Sequence, residues 1–139
     1  MSHHKFIVRL PERPTGTAQQ KGVSSIGGRV RFYTKASVAK TRAMYITGIR
    51  QEFLRSGRPI PFLEGAIYAR IQFYFAVKDE RLWGQYKPTV PDCDNLVKLL
   101  LDVLTELHFW RDDAQIAVLE VEKFYGKENL FEIELEDKL

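Results

Sequence analysis

The chain of 139 residues has one cysteine, Cys93, and three histidines, two of them adjacent at His3-His4. A lone cysteine excludes an intrachain disulfide, and no spaced Cys/His set offers a zinc site. No apolar run reaches the ~18 residues of a membrane span, and no secretory leader is evident, so a soluble, cytoplasmic protein with no membrane partner is expected. Repeats and low-complexity tracts are absent, and no glycine spacing fits a P-loop or a dinucleotide fingerprint. Cys93 has no histidine near it in sequence and reads as a small spacer rather than a nucleophile. His3 and His4 receive no role.

What is present suffices for one domain over residues 1–139, since 45% of the residues are hydrophobic. Net charge is only +3, but it is unevenly spread. Residues 1–58 carry 12 Lys/Arg against Glu12 and Glu52, or +10, while residues 59–139 come to −7. A basic half joined to an acidic half suggests an electropositive binding surface around an acidic centre, although a solvated basic face has the same composition.

Hydrophobic period predicts an α+β fold, a single domain with a mixed or antiparallel sheet packed with two main helices. Lys5 to Leu10 reads as a strand ended by Pro11 and Pro14, and Thr15 to Gly28 as a polar, glycine-containing loop. Arg29 to Tyr33 alternates as a short strand, and Ala36 to Leu54 has helical spacing that stops near Gly57. Ala66 to Val77 is a long strand with Ile67, Ala69, Ile71, Phe73, Phe75 and Val77 on one face. Asn95 to His108 reads as a mostly buried helix with Asp94 as N-cap. Leu119 to Tyr125 and Leu130 to Leu135, around Gly126-Lys127-Glu128-Asn129, read as a terminal hairpin.

The chemistry concentrates on that second helix. Asp92-Cys93-Asp94-Asn95-Leu96-Val97-Lys98 puts two carboxylates one residue apart and a lysine one turn on, and Asp94, Lys98 and Asp102 fall on one helical stripe. Asp112-Asp113 follows Phe109 and Trp110, and the next strand is expected to return one of that pair toward Asp92 and Asp94. Clustered aspartates suit a hard, oxygen-seeking ion such as Mg²⁺ or Mn²⁺. Taken singly, Asp94 is an ordinary cap, Lys98 an i,i+4 ion-pair partner and Asp112-Asp113 a polar turn. Their coincidence on one short, otherwise apolar segment is what argues for a site.

These residues resemble the RusA-type Holliday junction resolvases. That family's pattern, DxDNLxK, an apolar helix and WxDDxQV, is similar to Asp92 to Lys98, Asp102-Val103-Leu104 and Phe109 to Ile116. The likeness extends more weakly to the amino-terminal strand and to Gly28 to Tyr33, with Thr15 to Gly22 standing in place of an arginine-rich run. It implies Asp92, Asp94 and Asp113 as metal-binding catalytic carboxylates, Lys98 as a catalytic lysine, and Asp112 and Asp102 as supporting groups. It also implies a homodimer acting on four-way DNA junctions, with Arg29, Arg31, Lys35, Lys40 and Arg42 as phosphate contacts. The competing readings are a nuclease selective for other branched DNA, and a non-catalytic basic domain that binds nucleic acid.

Overall fold

The computed structural model describes residues 1–14, 23–26, 29–32 and 35–139, with side chains described outside 15–35. In chain order the elements are β1 (His3–Arg9), β2 (Val23–Ile26), β3 (Arg29–Phe32), α1 (Lys35–Ser56), β4 (Ile67–Ala76), α2 (Cys93–Glu106), β5 (Ile116–Gly126) and β6 (Leu130–Glu136). Short 3-10 turns occupy Glu80–Leu82 and Asp113–Gln115. The α+β reading holds, as one four-stranded mixed sheet, a small two-stranded sheet and two long helices.

The strand order β1-β6-β4-β5 corrects the expected terminal hairpin. β5 and β6 follow one another in sequence, but β4 lies between them, parallel to β5 and antiparallel to β6. Crossing one strand requires about 10 Å, within reach of the three-residue connection between Gly126 and Leu130. The crossing is fastened to the end of β4, where Val77 N–H donates to Gly126 O at 3.0 Å and Ala76 N–H to Asn129 Oδ1 at 2.9 Å. Turn residues specify a reversal of direction, not which strand fills the gap; burial of the apolar face of β4 decides that.

A second correction concerns Thr15 to Gly28, read throughout as loop: Val23–Ile26 pairs antiparallel with Arg29–Phe32. The Gly27-Gly28 dipeptide between them is itself a hairpin signal that the composition of the stretch obscured. Residues 15–22 lie outside the described residues.

The helices cover one face of the large sheet. Ile67, Ala69, Ile71, Phe73 and Phe75 of β4 and Phe131, Ile133 and Leu135 of β6 are buried beneath Tyr45, Ile49 and Phe53 of α1 and six apolar residues of α2. The other face is polar and acidic, with Glu122 taking hydrogen bonds from Arg70, Gln72 and Tyr86. Helix α1 lies close to β1 because Gly48 has no side chain: a Cβ there would sit 2.5 Å from Val8 Cγ1. Gly48→Ala should therefore lower stability by up to about 2 kcal/mol in denaturant titration, since an overpacking cost of about 1–3 kcal/mol is offset by a helix-propensity gain of about 1.

The chain ends are tied together at Asp137, which is 3% exposed. Its carboxylate accepts from Ser2 N–H at 2.7 Å, Ser2 Oγ at 2.8 Å and Glu64 N–H at 3.0 Å. Burial pushes the carboxyl up, but these donors and nearby Lys138 outweigh it and hold the pKa at about 2. Its contribution is therefore complete above the ordinary aspartate range near pH 4 and lost as pH falls toward 2. Acid melts of Asp137→Asn should show a flatter pH dependence than wild type across that window.

Candidate active site

The connection from β4 through α2 to the parallel strand β5 is a β-α-β crossover, a unit that is right-handed as a rule. It sets the amino end of α2 near the carboxyl ends of β4 and β5, and its carboxyl end near the start of β5. The helix begins one residue before the motif's second aspartate, so Asp92, not Asp94, is the N-cap, and its side chain makes no capping hydrogen bond. Among the described residues the Asp92 carboxylate accepts one side-chain contact, a long one of 3.5 Å from Asn95 Nδ2. Asp92 and Asp94 are both exposed. Ionised carboxylates at the positive end of a helix are favourably placed without further partners.

The segment that delivers Asp92 is anchored from β5. Lys123 Nζ donates to Thr89 O at 2.6 Å and Pro91 O at 2.8 Å. Lys123 was not singled out from sequence. The available signal was its place in β5 opposite Phe73, where the inward register calls for an apolar residue. Between the aspartates, burial pushes the Cys93 thiol up, Lys123 opposes this, and Asp94 and Asp92 add to it, so the thiolate is disfavoured.

Along α2 the exposed stripe is as the spacing predicts: Asp94, Lys98 and Asp102 face outward while Leu96, Val97, Leu99, Leu100, Val103 and Leu104 are buried. The i,i+4 ion pair does not form, because among the described residues Lys98 approaches neither Asp94 nor Asp102 within 4 Å. Trp110 Nε1 donates to Thr105 Oγ1 at 2.7 Å, which fixes the turn after the helix. Beyond it, Asp112 and Asp113 part company. Asp112 accepts from Ala114 N–H at 2.9 Å in a capping box completed by Gln115, whereas Asp113 is exposed with no hydrogen-bond partner among the described residues.

Burial, then the Asp113 carboxylate, raise the Asp102 carboxyl above its ordinary value, with Lys98 pulling down and Glu106 pushing up. Eight residues of helix separate Asp94 from Asp102, about 12 Å. Among the described residues no three potential ligands converge, so one chain does not bring Asp113 to Asp92 and Asp94 as the sequence led us to expect. The crossover explains this: β5 starts at the opposite end of α2 from Asp92. Within one chain the acidic groups thus divide between the two ends of α2, Asp92 and Asp94 at its start and Asp102 and Asp113 toward and beyond its end, with Lys98 between them on the helix.

Of the five basic residues expected to meet DNA, Lys40 pairs with Glu12 at 2.8 Å and Arg42 with Glu106. Both pairs are exposed and worth little, so a phosphate can displace either carboxylate. The side chains of Arg29, Arg31 and Lys35 lie outside the described residues. No helix among the described residues is long and apolar enough to cross a membrane.

The family profile described as "Endodeoxyribonuclease RusA" matches residues 11–136. A "Crossover junction endodeoxyribonuclease rusA" of Lactococcus phage r1t is 32% identical over 133 residues, covering 94% of this chain and 95% of the phage protein. An "Uncharacterized protein YqaN" of Bacillus subtilis (strain 168) is 40% identical over 57 residues, 40% of this chain and 39% of that protein. By the extent of these matches, and with both acidic blocks inside the matched span, this chain belongs to the RusA family of endodeoxyribonucleases.

Proposed function

We propose that this protein resolves four-way DNA junctions, making paired symmetric nicks as a Mg²⁺-dependent homodimer with Mn²⁺ as a substitute ion. The observation that carries the reading is the exposed Asp92/Asp94 pair, held by no more than a long contact from Asn95 among the described residues, with Lys98 on the same stripe in no ion pair among those residues, inside a family match that spans nearly the whole chain. The donor set fits: carboxylate oxygens at a helix mouth suit a hard ion that a few acids hold and that water and phosphate oxygens complete. Asp92, Asp94 and Asp113 are the proposed ligands. When bound, such an ion polarises the scissile phosphate and lowers the pKa of a water.

The chain's own groups supply the rest. Lys98 presents its ammonium to charge developing on the phosphoryl oxygens, a role that needs a cation not already neutralised by an ion pair. Asp112 acts indirectly, by capping the turn that presents Asp113, and Asp102 sets the charge around it. The acidic outer sheet face repels a polyanion, which leaves the helix side of the sheet for DNA.

Two features support a dimer. A junction has two strands to cut, which an isologous pair with two sites meets most simply. The outer edge of β5 at Ala117–Val121 is also unpaired among the described residues, with Val118 42% and Leu119 43% exposed. Since Asp113 stands apart from Asp92 and Asp94 within one chain, we assign it to the partner's pair. Co-expressed Asp92→Asn and Asp113→Asn chains should then regain nicking of one strand per junction, because the mixed dimer keeps one intact site. An inactive mixture would return Asp113 to its own chain.

The deciding experiment is end-labelled cleavage of a panel of four-way junctions, flaps and forks with Mg²⁺ and with EDTA. Symmetric, metal-dependent nicks confined to the four-way junction support the proposal. Preference for flaps or forks transfers it to a different branched substrate, and binding without cutting at any metal concentration removes the catalytic reading.

A further inference from the structure

Beside the Asp92 end of α2 lies a group of cations that the mechanism above does not use. Lys87 Nζ lies 2.5 Å from Thr89 Oγ1, and Lys123 holds the carbonyl of the same residue at 2.6 Å, so one threonine joins two ammonium groups. The Lys87 ammonium lies 5.3 Å from the centre of the Phe75 ring and 5.4 Å from that of Tyr125. The guanidinium of Arg13 lies 5.8 Å from the same Phe75 ring.

Nothing among the described residues neutralises this group. Among the described residues, Arg13, Lys87 and Lys123 have no carboxylate within 4 Å, whereas the basic residues of the outer face and of α1 mostly do. Lys87 is only 9% exposed, so one of the three charges is largely withdrawn from water. Burial, then Arg13 and Lys123, all disfavour its protonated form. Aromatic faces attract a cation but carry no net charge to cancel it. A buried ammonium beside two like charges is costly, and a bound anion is what relieves that cost.

Location identifies the anion. Lys123 and Tyr125 pair with Phe73 and Phe75, which puts all of them on the helix face at the carboxyl ends of the parallel strands β4 and β5. That crevice is where open sheets with parallel strands take their ligands. Thr89 to Pro91, the segment both lysines surround, leads directly into Asp92.

We propose that Arg13, Lys87 and Lys123 form a phosphate subsite that holds the DNA backbone next to the phosphodiester to be cut. The proposal rests on the endonuclease reading and adds three phosphate contacts to the basic residues of the amino-terminal half. It also gives Lys123 two tasks, anchoring the loop with two of its N–H groups and offering the third to a phosphate.

The test is binding of a fluorescent synthetic four-way junction in EDTA, titrated over a range of salt concentrations. Arg13 is exposed and makes no hydrogen bond among the described residues, so Arg13→Gln and Arg13→Glu report charge without disturbing the fold. Adding Lys87→Gln to Arg13→Gln should weaken binding about tenfold or more near 0.1 M salt and flatten the log–log salt slope by about 1.8, as expected for two lost phosphate charges. Arg13→Glu alone should weaken binding more than Arg13→Gln. Thermal melts identify any loss that comes from unfolding of the Lys87 variant, in which case the Arg13 pair decides. Wild-type affinity and slope in Arg13→Glu would overturn the subsite. The assay contains no divalent ion and does not depend on cutting, so a wild-type protein that failed to nick any branched DNA would sink the endonuclease reading separately.

Discussion

Asp92→Asn and Asp94→Asn should each reduce single-turnover cleavage of a four-way junction on the order of a thousandfold or more, while junction binding in EDTA stays at wild-type strength or tightens. The two readouts move apart because the substitution removes one negative charge from a phosphate-facing site. A hard ion loses a ligand and with it the polarisation of the scissile phosphate. The polyanion loses a repulsion. Structure makes the experiment clean, because the Asp92 side chain closes no cap and Asp94 is exposed with no hydrogen-bond partner among the described residues. Melting temperatures should therefore stay near wild type. Near-normal turnover by either variant in Mg²⁺ would remove that residue from the proposed metal site. The same logic extends to the second acidic block. Asp113→Asn should behave like Asp92→Asn, whereas Asp112→Asn should be mild, since an asparagine Oδ1 still accepts the Ala114 amide that maintains the turn.

The stripe Asp94, Lys98, Asp102 was legible from sequence because helical period is a local property, and a helix with six buried apolar positions has only one way to face. The relation of Asp113 to that stripe was not. It depends on β5 lying parallel to β4, and hence on the direction in which α2 crosses, whereas a hairpin reading of β5 and β6 leaves the start of β5 free to return anywhere. Lys123 escaped notice for a similar reason. Its value lies in reaching carbonyls 32 and 34 residues away, across a strand pairing that no local pattern records. The cap of α2 was displaced from Asp94 to Asp92 by two residues, within the uncertainty of any helix end, but the shift matters here. It puts both aspartates at the helix mouth instead of assigning one of them to structure.

Lys98→Ala separates a structural lysine from a catalytic one, and its outcome should be the second largest. If Lys98 served only the helix, its i,i+4 spacing to Asp94 and Asp102 would be worth less than about 0.5 kcal/mol, and cleavage would be unaffected. The structure weakens even that role, since no ion pair to either aspartate forms within 4 Å. An exposed ammonium on the catalytic stripe, left unpaired, is free to meet charge that appears only in the transition state. Loss of one such donor typically costs on the order of a hundredfold in rate. We therefore expect Lys98→Ala to slow single-turnover cleavage about a hundredfold or more on a saturating junction, with an unchanged melting temperature. Lys98→Arg should rescue in part, because a planar guanidinium keeps the charge but not the compact reach of an ammonium. A full-speed, normally melting Lys98→Ala enzyme would leave Lys98 as a solvated surface residue, and the charge on the departing oxygens would then have to be met by another cation, of which Lys123 lies nearest the Asp92 loop.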